Sequence, residues 1–163
     1  MPRVKHPERT GDKTLTARRR THARPNPRNV AHNEEVAAAF EEMAELLAIE
    51  GENPFRVRAY QRAAEVIRSL PRALADFRGV EELDALPGIG ADLAAKIDEL
   101  LRTGRLAALE KLRRQVPPGL RDLLKLPGLG PVRVRTLFHV LKVRDAPGLR
   151  RALESGRVAR LRG

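Results

Sequence analysis

Apolar positions in this chain recur every three to four residues, the spacing of helices, and runs of alternating β-branched residues are missing. Val36, Phe40, Met43, Leu46 and Leu47 form one stripe. Asn33 is placed to cap its start, Glu34 and Glu35 suit the positive end of the helix dipole, and Gly51 closes the run. Asn53 and Pro54 restart the chain as cap and first-turn proline. Phe55, Ala59, Ala63, Val66 and Ile67 then supply the stripe of a second helix, and Pro71 ends it. A short helix from Arg72 to Phe77 is expected next. With Ala, Leu, Arg and Glu dominant, the pattern predicts an all-α protein.

The rest of the chain repeats itself. Leu86-Pro87-Gly88-Ile89-Gly90 and Leu126-Pro127-Gly128-Leu129-Gly130 are the same pentad, 40 residues apart. Each follows a short Leu-rich stretch and precedes a longer amphipathic one, the first of these expected from Ala91 to Arg102. A third copy is expected to begin at Leu161-Arg162-Gly163, which suggests a chain cut within a repeat. The expected architecture is two small helical subdomains, 33–116 and 117–163, each holding a helix-hairpin-helix turn.

Charge narrows the partners. The chain carries 32 Lys and Arg against 21 Asp and Glu, a formal net charge of +11. A polyanion is the first expectation. Residues 1–32 hold a net +7, residues 33–116 a net −4 and residues 117–163 a net +8. Residues 1–32, rich in Pro and Arg and poor in large apolar groups, are expected to form a disordered basic tail. The chain has no cysteine, and its four histidines show no metal-ligand spacing. No apolar run reaches the ~18 residues of a membrane span, and no secretion signal opens the chain. A cytoplasmic, nucleoid-associated protein is the expectation.

A Gly-hydrophobic-Gly turn between helices does a specific job. Its glycines reach backbone angles barred to other residues and keep side chains out of a ligand's way. Ile89 or Leu129 plugs the core, while the amides of Gly88 and Gly90, or of Gly128 and Gly130, face outward at the positive end of the next helix. This geometry suits a phosphate and needs no base contact. Arg133 and Arg135 follow the second turn, whereas Asp92 follows the first, so the second hairpin is expected to bind better. Arg56, Arg58 and Arg62 share a helix edge that fits a modest phosphate contact. Tyr60 is expected to pack in the core with its hydroxyl at the surface, where it could meet DNA.

With those residues in hand, Asn33 to Gly163 resembles the N-terminal part of a bacterial X-family DNA polymerase, of the polymerase beta type. The carrying segments are Asn53-Pro54-Phe55-Arg56-Val57-Arg58-Ala59-Tyr60, Leu86 to Gly90 with Ala94-Ala95-Lys96-Ile97-Asp98-Glu99, and Leu124 to Gly130. The resemblance implies a small domain that binds the 5′ end at a gap, then a duplex-binding hairpin. It implies DNA, gapped or nicked, as partner, and base excision repair as context. The polymerising palm would follow Gly163, so no nucleotide addition is expected from this chain. No cofactor is required, although the resemblance implies a monovalent cation at a hairpin.

The resemblance also places a lysine nucleophile at Lys96, for a lyase that removes 5′-deoxyribose phosphate through a Schiff base. Such chemistry needs an unprotonated amine, hence partial desolvation. Lys96 is the only lysine between Lys13 and Lys111 and sits at the edge of the Leu93, Ile97, Leu100 and Leu101 stripe. Asp92, one helical turn earlier, is placed to pair with it and to hold it charged. Phe55, Asp84 and Asp92 also replace the basic or polar groups of the 5′-phosphate pocket. Two further classes therefore stand beside a phosphate-binding module: the Lys96 lyase and a protein-interaction scaffold.

Overall fold

The computed structural model describes residues 27–161, with side chains from His32 to Leu161. All regular elements in that span are helical, in agreement with the all-α expectation. Two long helices come first, α1 (Pro27–Glu50) and α2 (Pro54–Ser69), followed by one 3₁₀ turn at Leu74–Asp76. Two copies of a three-helix unit complete the fold. The first holds α3 (Gly79–Asp84), α4 (Ala91–Thr103) and α5 (Ala107–Gln115). The second holds α6 (Gly119–Leu124), α7 (Pro131–Leu141) and α8 (Ala146–Glu154), and its opening glycine lies 40 residues after that of the first.

Local chemistry sets these boundaries. The Asn53 carboxamide accepts from the Phe55 amide at 2.9 Å, and Pro54 fills the first turn of α2. Asp145 caps α8 by accepting from the Gly148 amide at 2.7 Å. The basic tail assigned to 1–32 falls outside the described residues as far as residue 26. From Pro27 the backbone is already α1, so Asn33 is not a helix cap. Asn33 is 5% exposed and works across the fold. Its Nδ2 donates to the Arg72 carbonyl at 3.0 Å, and its Oδ1 accepts from the Leu74 amide at 2.8 Å. The segment read as a helix from Arg72 to Phe77 shortens to the 3₁₀ turn, whose entry Asn33 holds.

Helix α1 is the centre. Val36, Phe40, Met43, Leu46 and Leu47 are buried as their spacing predicts, and Ala37, Ala44 and Ile49 are buried with them. This wider burial follows from its neighbours, because α2, α4, α5 and α7 all pack against α1. Each large side chain sealed there contributes about 1.5–3 kcal/mol. One apolar cluster runs from Val36 to Ala152, through both three-helix units. Phe55 departs from the expected stripe. It is 75% exposed at the start of α2, with the Arg58 guanidinium 4.7 Å from its ring centroid.

Candidate nucleic-acid interface

The two pentads fold into the same turn. Leu86 and Leu126 each accept from the amide three residues on, of Ile89 and Leu129, at 3.0 Å in both cases. Gly88 and Gly128 lie at φ +82° and +81°. A side chain in that left-handed region costs about 1–2 kcal/mol, so glycine is required by the turn itself. Ile89 is buried and Leu129 half-buried, each plugging its turn onto the core. All four glycines are exposed. A Cβ added at Gly90 or Gly130 would meet nothing within 4 Å.

The starts of α4 and α7 are open. Gly90 (φ −95°, ψ 172°) and Gly130 (φ −79°, ψ 171°) occupy the cap positions, and neither helix has a side-chain cap. The leading amides of Ala91, Asp92 and Leu93 find no hydrogen-bond partner among the described residues. The same holds for Val132 and Arg133 in α7, where Pro131 has no N–H to satisfy. Each helix start thus offers several donors, with the positive end of a dipole behind them, to an anion arriving from solvent.

Side chains make the two turns unequal. Beside the first, the exposed Asp92 carboxylate binds the Lys96 ammonium, and the Lys96 side chain is only 15% exposed. Beside the second, Arg133 is exposed and bends back, its Nη1 donating to the Gly128 carbonyl at 2.6 Å. The corresponding position of the first unit, Leu93, is buried in the core instead. Exposed Leu126 and Val132 flank the second turn with apolar surface. The Asp92–Lys96 pair follows from their spacing of four residues, whereas the Arg133 contact was not legible in the sequence, because no periodicity marks a side chain that folds back over a turn.

Other site candidates lie elsewhere. Tyr60 is buried, at 1% exposure, and its hydroxyl is sealed in with the ring, so it offers DNA no surface. It packs against Phe40 with ring centroids 5.5 Å apart, and the size of that ring carries the hydroxyl inside. By distance and angle the hydroxyl finds no hydrogen-bond partner among the described residues. Arg56 is exposed but bound to Glu52, which is the main cause holding its guanidinium above the ordinary arginine range; burial opposes this, and the nearby Tyr60 adds to it. Arg58 and Arg62 are exposed on α2. The Arg135 guanidinium points away from the second turn and lies over Gly51. Among the described residues no group of three or more His, Asp or Glu is arranged to hold a metal, and no helix is long and apolar enough to cross a membrane.

Comparison with known proteins agrees with this geometry. Residues 31–106, which contain the first turn, match the helix-hairpin-helix domain family. Over 132 residues, 81% of its length, the chain is 35% identical to the DNA polymerase/3'-5' exonuclease PolX of Bacillus subtilis (strain 168). It spans 23% of that relative's length. By sequence and by the form of its turns, the chain is a helix-hairpin-helix relative of the X-family DNA polymerases.

Proposed function

We propose that this chain binds DNA without sequence preference, through phosphates held at its helix-hairpin-helix turns, in DNA repair or replication. The observation that carries the reading is the pair of open helix starts at Gly90 and Gly130, uncapped, exposed and clear of side chains. Backbone amides there match phosphate oxygens and do not distinguish bases. The second turn is the stronger, since Arg133 stands beside it and Asp92 beside the first. Gapped or nicked duplex is the proposed form, by analogy with a polymerase relative. A monovalent cation at the second turn would have to share it with Arg133, which already holds the Gly128 carbonyl; the grip needs no such ion.

Titration of labelled duplex and gapped DNA over a range of salt tests this. Affinity falls steeply with salt, and Gly128→Val costs more affinity than Gly88→Val once both variants are shown to be folded. Equal losses would refute the ranking. A flat salt dependence would favour a protein scaffold over DNA binding.

A lyase is the second reading, and the partial burial of Lys96 favours it. The amine would attack the open sugar's aldehyde and, with loss of water, form an imine. Asp92 opposes this by engaging the Lys96 nitrogen in an ion pair, which the amine must leave to reach a sugar. Borohydride trapping on DNA with an incised abasic site discriminates: an adduct lost in Lys96→Ala and kept in Lys111→Ala supports the enzyme, and no adduct leaves the binder alone.

A further inference from the structure

Arg135 follows the second turn in sequence but leaves it in space. An ideal Cβ built on Gly51 would lie 2.1 Å from Arg135 Cζ, 2.4 Å from Nη1 and 2.5 Å from Nε. The guanidinium therefore fills the volume that any side chain at position 51 would need. Gly51 closes α1 in the left-handed region, at φ +82°. Its amide donates to the Ala48 carbonyl at 3.2 Å and the Glu52 amide to the Leu47 carbonyl at 2.9 Å, the paired bonds of a Schellman end. Helix α1 has no basic residue in its own last turn. Its negative dipole end favours a cation, and Arg135 brings one from α7. Gly51 has no Cβ to hold off the broad planar guanidinium, a shape that a compact ammonium does not match.

A second set of contacts ties α1 to α5 and α6. Arg113 reaches Glu42 at 2.7 Å, and Arg121 reaches Glu42 at 3.3 Å and Glu45 at 2.8 Å. Both carboxylates belong to α1. Helix α1 is thus held at its C-terminal end by α7 and along its side by α5 and α6.

We infer that Arg135 is a positioning residue, which straps the second hairpin to the end of α1 so that the two turns act as one rigid, two-point grip on a single duplex. This rests on the proposed DNA binding for its consequence, not for its geometry. With the turns fixed, engagement of one raises the effective concentration of the other at the same duplex. Arg135 then supports binding without touching a phosphate.

The test is a cycle on the whole chain: Gly51→Ala, Arg135→Ala, both together, and Arg135→Lys. Without DNA, each single variant lowers the melting temperature. The double variant melts where Gly51→Ala alone does, because the strain at position 51 is common to both and either change empties the same seat. Arg135→Lys does not restore the loss. With DNA, Arg135→Ala and Gly51→Ala each lose about tenfold in affinity on a duplex long enough for both turns. Neither loses affinity on one that reaches a single turn, and the salt slope stays as in wild type. If Arg135→Ala alone makes the slope shallower by about 0.9 while Gly51→Ala changes nothing beyond its own strain, Arg135 is a phosphate ligand and the strap is overturned. Additive melting losses overturn it as well. Should the wild-type chain bind no DNA, the functional reading fails while the melting cycle still decides the strap.

Discussion

Replacing Gly130 by aspartate should stabilise the protein and weaken its hold on DNA in the same molecule. Gly130 sits at φ −79° and ψ 171°, a conformation open to any residue and typical of a helix cap. A Cβ there meets nothing within 4 Å, so the aspartate enters without strain. Its carboxylate then accepts from the leading amides of α7 and complements the dipole, which is worth roughly 0.3–1 kcal/mol. Exchange of glycine at a compatible angle adds about 0.4–1 kcal/mol through the unfolded state. Together these raise the melting temperature by about 3 °C. The donors so occupied are those proposed for phosphate. Loss of a charge-assisted hydrogen bond costs about 1.5–3 kcal/mol, so affinity falls by roughly 10- to 100-fold. Gly90→Asp gains the same cap, but Asp92 already lowers the value of that turn, and its DNA loss is smaller. Thermal unfolding and anisotropy titration measure the two effects. If Gly130→Asp binds DNA as wild type does, the amides at Gly130 do not grip phosphate; if Gly90→Asp loses as much, the two turns are equal and the ranking fails.

Other perturbations address the scaffold. Tyr60→Phe keeps the ring against Phe40 and removes a buried hydroxyl that has no partner among the described residues; stability rises by about 1 kcal/mol in urea unfolding, and a loss would show that the hydroxyl is satisfied. Asn33→Ala strands the Arg72 carbonyl and the Leu74 amide; it costs about 2 kcal/mol, and a neutral result would mean that water replaces both bonds. Glu42 is held below the ordinary carboxylate value of 4.5, chiefly by its bond with Arg113, against burial and with the charges of Arg121 and Arg113. A depressed folded-state value means that this stability is present above about pH 4.5 and lost as pH falls through the lower folded value. Acid unfolding of Glu42→Gln is therefore flatter than that of wild type, and parallel curves would contradict the coupling.

The strength of each sequence signal matched how local its cause is. The pentads were legible because a positive φ at Gly88 and Gly128 is a demand of the turn, met by glycine whatever surrounds it. Asn53-Pro54 was legible for the same reason, since cap and first turn lie within three residues. Asn33 was misread because the carboxamide that caps a helix also bridges distant backbone, and the choice depends on Arg72 and Leu74 being brought beside it. Phe55 and Tyr60 show the limit of periodicity. Both lie near the apolar stripe of α2, yet only Tyr60 has Phe40 and α1 to cover it, and Phe55 at the helix start is left in solvent.

The order of residues alone determined that the chain is helical, where its turns fall and which turn has cations after it. These follow from propensity, capping and backbone angles within a few residues. Where those cations go was decided by packing. Arg133 folds back onto its own turn, while Arg135, two residues on, faces the end of α1 and settles over Gly51. The partners are 84 residues apart in the chain, and a contact across such a distance exists only after the helices have packed.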